Sequence, residues 1–295
     1  MKYFEVEFTI TPCSQVAQDL LSALAGEAGF ETFEETANGL KGYVQQTLFD
    51  ESVLSSALED FPLDDTHIIY KVEEAEDRDW NEQWEQEGFE PIDVRCQMAD
   101  GRSRTLIIHD GRHLPSDIGF QLTDIEVEID AHLAFGTGTH ETTRMICVTL
   151  LGMNLSGMKV LDCGCGTGIL GICALKLGAQ HCVGYDIDEW SIDNTRHNAI
   201  INRVDDRLEP LHGDATMLSG FPAEFDLVMA NINRNILLQD MERFVSVMRP
   251  KATLVLSGFY QSDCQLLEEK ANNLGLMLKQ TKNDGDWVCL VFQYQ

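Results

Sequence analysis

One stretch constrains the fold more than any other. Lys159-Val160-Leu161-Asp162 reads as a buried strand and runs directly into Cys163-Gly164-Cys165-Gly166-Thr167-Gly168, after which a helical pattern spans 169–177. A strand, a glycine-rich turn and a helix in that order bring free backbone N–H groups to a helix start, where a ligand can meet them. The alternation then continues with a strand at 182–186, a helix at 189–202 and strands at 207–212 and 225–230. A helix at 235–248, a strand at 252–257 and a helix at 261–274 follow. The last two strand-like runs, 276–282 and 287–293, have no helix between them and read as an antiparallel hairpin on one edge. Such a pattern predicts an α/β fold with a doubly wound, mostly parallel sheet and a ligand at the carboxyl ends of its strands.

The front of the chain has a different rhythm. Residues 3–10 alternate apolar and polar, 14–28 carry a helical face, and the short runs 30–34 and 39–45 flank Asn38-Gly39, a turn signal. A helical run at 51–60 and a strand at 67–72 complete a β-α-β-β-α-β order, which predicts a small α+β ferredoxin-like domain over 1–72. Residues 73–90 are charged, hold Trp80 and Trp84 at helical spacing and stop near Gly88, as a linker helix would. The two tryptophans either pack on one neighbour or mark a substrate site. Strands near 92–98, 104–108 and 125–129 open the larger domain, 91–295.

Charge narrows the partners. The chain carries 49 acids against 21 bases, a net −28, and the first 90 residues hold 22 acids and 4 bases. A field of that sign repels a phosphate backbone and attracts a basic protein, so no nucleic-acid readout is expected, although excess acid also serves solubility alone. No run approaches the ~18 apolar residues of a membrane helix, and Met1-Lys2-Tyr3-Phe4-Glu5 has an acid where a signal peptide is basic then apolar. A soluble, cytoplasmic protein with no membrane partner is expected. Nine cysteines without a CxxC…CxxC or Cys/His spacing predict reduced thiols and no metal.

Gly166-x-Gly168-x-x-Gly171 fits a dinucleotide fingerprint, but Asp162 stands just ahead of it, where a pyrophosphate would meet an unfavourable charge. The longer pattern, two apolar residues then Asp162-x-Gly164-x-Gly166-x-Gly168, resembles the first motif of class I S-adenosylmethionine-dependent methyltransferases. That resemblance implies S-adenosylmethionine as cofactor, with Asp162 and Gly166 among its neighbours, since carboxylate and carbonyl groups suit the ammonium of its amino-acid end. Asp186 ends the next strand 18 residues after Gly168, placed to accept from ribose hydroxyls, or to cap the next helix. Asp214 holds the place of an adenine contact or is a turn residue.

A closer resemblance lies just upstream. Leu133-Ala134-Phe135-Gly136-Thr137-Gly138-Thr139-His140-Glu141-Thr142-Thr143 is similar to the signature loop of the bacterial methyltransferases that trimethylate the stalk-base protein of the large ribosomal subunit. The likeness extends through Glu76-Asp77-Arg78-Asp79-Trp80 with Trp84, Asp162 to Leu170, Gly184 to Asp188, Ala230-Asn231-Ile232, Leu256-Ser257-Gly258 and Trp287. It implies a small front domain that grips a basic ribosomal protein, a linker that swings it, and a catalytic domain; separate modules joined by one helix also predict a monomer. By position it implies that Thr143, Gly164, Asp186 and Asn231 bind the cofactor. Phe135, Thr137, Thr139 and His140 would line the loop over it, and Asn231 would also position the acceptor amine. Thr139 and Thr142 also read as caps for the following helix, and His140 as a structural loop residue. Two departures, Glu141 for a common proline and Asn233 for an apolar residue, fall beside the acceptor rather than the cofactor.

The implied reaction is transfer of a sulfonium methyl to lysine amines, or to an N-terminal amine. A free lysine has a pKa of ~10.4, so the site must favour its neutral form. Small residues at Gly136 and Gly138 would leave room for an amine already bearing methyl groups. A nucleobase methyltransferase would want Asn-Pro-Pro-Tyr where this chain has Asn231-Ile232-Asn233. A noncatalytic cofactor-binding protein would need neither Asn231 nor a complete loop at 133–143.

Overall fold

The computed structural model describes residues 3–36, 38–46, 49–59, 61–63, 66–74, 88–97, 101, 103–113, 125–131 and 136–295. The chain divides into two compact units, Met1–Trp80 and Asn81–Gln295.

In the first unit, β1 (Tyr3–Thr11), α1 (Gln15–Glu27), β2 (Phe30–Thr36), β3 (Gly39–Gln45), α2 (Glu51–Glu59) and β4 (His67–Glu74) follow in order. The strands form one antiparallel sheet ordered β2-β3-β1-β4, the split βαβ arrangement. Alternation in β1 explains its two faces. Val6, Phe8 and Ile10 are buried with Ala17, Leu21 and Ala25 of α1 and Leu54 of α2, while Glu5 and Glu7 take the other face. Ser14 caps α1 by accepting from the Ala17 N–H at 3.3 Å. Where a linker helix was expected over 73–90, Glu73 and Glu74 belong to β4 and residues 88–90 are not helical. Residues 75–87, including Trp80 and Trp84, lie outside the described residues.

The second unit opens with the three strands expected near 92–98, 104–108 and 125–129, which the structure joins into a small sheet of their own. β5 (Ile92–Gln97) pairs antiparallel with β6 (Ser103–His109), which pairs parallel with β7 (Ile125–Glu128). Helix α3 (Glu141–Leu151) leads into the central alternation. Its members are β8 (Lys159–Cys163), α4 (Ile169–Lys176), β9 (His181–Asp186), α5 (Glu189–Ile201) and β10 (Leu208–His212). Then come a short 3-10 turn (Ala215–Gly220), β11 (Phe225–Asn231), α6 (Arg234–Ser246), β12 (Met248–Tyr260), α7 (Cys264–Asn273), β13 (Leu276–Asp284) and β14 (Trp287–Tyr294).

These strands form one sheet ordered β10-β9-β8-β11-β12-β14-β13, parallel from β10 to β12, with β14 antiparallel to both its neighbours. Successive residues of the strands feed opposite layers: Val160, Leu227 and Val255 join the core under α3 and α4, while Leu161, Val228 and Leu254 join the core under α6 and α7. Strands buried on both faces must be apolar throughout, which is why they read as continuous runs. From β8 the chain winds one way to β9 and β10, and from β11 the other way to β12. The cleft between these directions opens at the carboxyl ends of β8 and β11. β12 begins four residues earlier and ends three later than expected, because it is paired on both edges.

Three asparagines fasten the end of β7 and the residues after it to α5 and its C-cap. Asn194 and Asn198 of α5 bond the carbonyl and N–H of Asp130 at 2.9 Å each. Asn202 then bonds the carbonyl of Glu128 at 2.6 Å and its N–H at 3.0 Å. The amides stand in for a missing neighbouring strand and satisfy backbone groups that burial would otherwise orphan.

Candidate active site

The turn after β8 is built on left-handed glycines. Gly168 begins α4 at φ 80°, and a Cβ there would lie 2.9 Å from Thr195; at Gly164, φ 71°, a Cβ would lie 2.6 Å from Ile232. Only glycine fits both constraints. The N–H groups of Gly164 and Cys165 donate to the Tyr185 carbonyl at 2.8 and 3.0 Å, closing the turn onto the end of β9. Asp186, at that end, accepts from the Gly166 N–H at 3.0 Å and the Asp188 N–H at 3.1 Å. The carboxylate is thereby fixed at the rim of the glycine turn.

Across the cleft, β11 ends in Asn231. Its amide donates to the Thr143 hydroxyl of α3 at 3.3 Å, and its own carbonyl oxygen is buried with no hydrogen-bond partner. The Thr167 hydroxyl donates to the Gly136 carbonyl at 2.6 Å, tying the loop before α3 to the glycine turn. Asp214 caps the 3-10 turn, and the Thr216 hydroxyl and N–H hold its carboxyl below the usual range.

A cavity of about 530 Å³ joins these groups; Thr143, Gly164, Gly166, Asp186, Asp214 and Asn231 all line it. Asp162 does not. It is buried, its carboxylate turns back to accept from the Gly171 N–H at 3.0 Å, and its other oxygen has no partner. Burial pushes that carboxyl up to about 7, against the Gly171 hydrogen bond and with the Asp186 charge adding to the rise. Asp162 braces the first turn of α4 rather than facing the cavity.

The signature loop divides. Gly136 lines the cavity, whereas Thr137, Thr139 and His140 are not among its lining residues, and Phe135 lies outside the described residues. The Thr137 and Thr139 hydroxyls bond each other at 2.8 Å. His140, not Thr139, is the N-cap of α3, its ring accepting from the Thr142 N–H. Sequence reasoning missed Ile187, 74% exposed on the cavity rim, and Ile236, Asp240 and Arg243, which α6 presents to the cavity. The position after Asp186 could have pointed to Ile187; nothing in the local pattern of α6 marks the others.

The residues fit the implied cofactor. A carboxylate at the end of β9, a close-approach glycine turn and a buried orphan acceptor on Asn231 together suit a ligand with ribose hydroxyls and N–H donors. Burial pushes the Cys163 and Cys165 thiols up, so the motif cysteines are not nucleophiles. Among the described residues no group of three His, Cys, Asp or Glu could hold a metal, and no helix is long and apolar enough to cross a membrane.

Residues 12–295 match the sequence profile of the family described as Ribosomal protein L11 methyltransferase (PrmA). The chain is 44% identical to the Ribosomal protein L11 methyltransferase of Bacteroides thetaiotaomicron over 296 residues, covering 100% of both chains. It is 41% identical to that of Porphyromonas gingivalis, covering 99% of this chain and 98% of the relative. The solved structure of a ribosomal protein L11 methylase from Lactobacillus delbrueckii subsp. bulgaricus is similar with a TM-score of 0.57 and 22% identity, over 70% of this chain and all of that one. That structural likeness speaks for the fold.

Proposed function

The chain belongs to the ribosomal protein L11 methyltransferase family, and we propose that it moves methyl groups from S-adenosylmethionine to lysine amines of ribosomal protein L11, up to trimethylation. The first unit, Met1–Trp80, is the substrate-recognition module, and the chain acts as a cytoplasmic monomer on protein rather than nucleic acid. The net charge of −28 supports that choice of a basic partner.

The observation that carries the reading is the orphan carbonyl of Asn231 beside the glycine turn, with its amide already committed to Thr143. When bound, the cofactor supplies a methyl group activated by its sulfonium. The protein's part is to bind, orient and desolvate. Asp186 and the glycine turn anchor the nucleoside end. The Asn231 carbonyl accepts an N–H of the incoming amine in the first two transfers and turns its lone pair toward the methyl; the neutral dimethylated amine has no N–H and is aligned for the third transfer by the cavity wall. Asn231 cannot take a proton, so an amine that enters as its ammonium must lose its proton to water before it attacks. Leu170, Ile232 and Ile236 on the cavity wall disfavour the charged ammonium and shift that equilibrium. Alignment of the reacting atoms contributes several kcal/mol.

The test is the intact mass of purified ribosomal protein L11 after incubation with this protein and S-adenosylmethionine. A ladder of methyl increments, lost with Asp186→Ala, is expected; an unshifted mass overturns the substrate reading.

A further inference from the structure

Asn231 is held from two directions. Its amide bonds Thr143 of α3, and its backbone is in register with Ser257 of β12. Three residues before Thr143 stands His140, and three beyond Ser257 stands Tyr260. Trp287, the first residue of β14, joins the two. Its ring stacks on Tyr260 with centroids 4.3 Å apart and meets His140 edge-on at 4.9 Å. The contacts therefore close a circuit around the acceptor side of the site, from Asn231 through α3 to the aromatic cluster and back along β12.

Core packing accounts for Trp287, which lies partly buried against the core under α3 and α4, but not for Tyr260, which is 50% exposed. Nor does the cofactor cavity, which neither Tyr260 nor Trp287 lines. At a strand rise of about 3.3 Å per residue, Tyr260 lies up to about 10 Å outward of the Asn231 level. That interval is of the order of an extended lysine side chain together with its adjoining backbone.

The surroundings have the matching charge. Carboxylates stand beside these residues along the backbone: Asp263 accepts from the Tyr260 N–H at 3.1 Å, Asp284 is in register with Trp287, Asp286 precedes it and Glu141 follows His140. Arg234 pairs with Asp263 at 2.9 Å and Arg144 with Asp284 at 3.2 Å. Arg144 also donates to the Thr139 carbonyl at 2.9 Å, and the Gln261 N–H donates to the Asp286 carbonyl at 3.1 Å. The hairpin turn is thus fastened both to the signature loop and to the end of β12. An aromatic face edged with carboxylates binds an aliphatic chain ending in a cation.

We propose that the Tyr260–Trp287 pair, braced by His140, is the wall along which the acceptor lysine side chain enters, its stem packed on the ring faces and its amine delivered to Asn231. The proposal rests on the family reading above.

The experiment compares steady-state methylation of purified L11 by the full-length protein and its Tyr260→Ala and Tyr260→Phe variants, with S-adenosylmethionine affinity measured by calorimetry. For Tyr260→Ala, kcat/KM for L11 falls about tenfold with cofactor affinity unchanged; Tyr260→Phe, which keeps the ring, stays near wild type. Tyr260→Gln, similar in reach but without the ring, repeats the loss should the alanine variant fold poorly. Unchanged kcat/KM in both ring-less variants overturns the wall, as does a parallel loss of cofactor affinity in folded protein. A wild-type protein that binds cofactor but leaves L11 unmodified overturns the substrate reading instead.

Discussion

The Asn231 amide and the Thr143 hydroxyl meet at 3.3 Å across the cleft, linking the end of β11 to the first turn of α3. This bond decides which way the amide lies, because it commits the nitrogen and leaves the carbonyl oxygen toward the ligand. Thr143→Val keeps the shape and removes the acceptor. Loss of one such hydrogen bond costs about 1 kcal/mol. A several-fold drop in kcat/KM is expected, measured with L11 as substrate, and an unchanged value would detach Thr143 from the site.

Asp186 accepts two backbone N–H groups at the cavity rim. Asp186→Ala removes the proposed ribose acceptor and orphans the Gly166 and Asp188 donors together. Cofactor affinity should fall by about 100-fold or more, since hydrogen bonds to charged groups contribute ~1.5–3 kcal/mol each. Calorimetry checks this directly.

Asp162 gives a pH dependence of stability with a definite sign. Its folded pKa is raised to about 7 by burial, whereas an unfolded Asp titrates near ~3.9. The folded state therefore binds the extra proton, and stability declines as pH rises from ~4 through about 7. Asp162→Asn keeps an acceptor for the Gly171 N–H and cannot ionise. Its stability should change less between pH 5 and pH 8 than that of the wild type, by roughly 2–4 kcal/mol, in urea unfolding. Parallel wild-type and variant profiles would show the carboxyl to be solvated.

Asp110 behaves in the opposite sense. Burial pushes its carboxyl up, but the N–H and ring of His113 and the N–H groups of Arg112 and Phe89 outweigh that and bring it down to about 2. Its contribution is complete above ~4 and is lost as pH falls through about 2. Asp110→Asn should lower the urea midpoint at pH 6, with the gap to wild type narrowing by pH 3. A gap independent of pH would contradict the assignment.

Gly258 sits at φ 93°, and a Cβ there would lie 2.6 Å from the Ile232 carbonyl oxygen. The neighbour is backbone and cannot rotate away. Gly258→Ala should therefore displace the Asn231-Ile232 turn, cost about 1–3 kcal/mol of stability, and reduce turnover more than cofactor affinity.

Much of this site is legible in the chain because its requirements are local. Gly164, Gly166 and Gly168 occupy left-handed positions that a side chain strains, so the motif states its own geometry. Asp186 falls at a strand end, which hydrophobic patterning locates well. Asp162 shows the boundary. Its place before the glycines suggests a ligand contact, but whether a carboxylate faces outward or back to the Gly171 N–H depends on a residue nine positions on. The sheet of β5 to β7 was legible only as separate strands, because its partners are chosen by contacts across the domain. Arg243 and Asp240 belong to the cavity through the docking of a whole helix, which no spacing records.

The asparagines of α5 also set an order of events during synthesis. Glu128 and Asp130 lead into the signature loop, yet the amides that fasten them come 64 to 74 residues later. Until the ribosome has delivered Asn202, the entrance to that loop is held from the side of β6, where Glu128 is in register with His109 and the Ile129 N–H donates to the His109 carbonyl at 2.8 Å. The second side of that entrance is therefore clamped only after the glycine turn at 164–168 has been made.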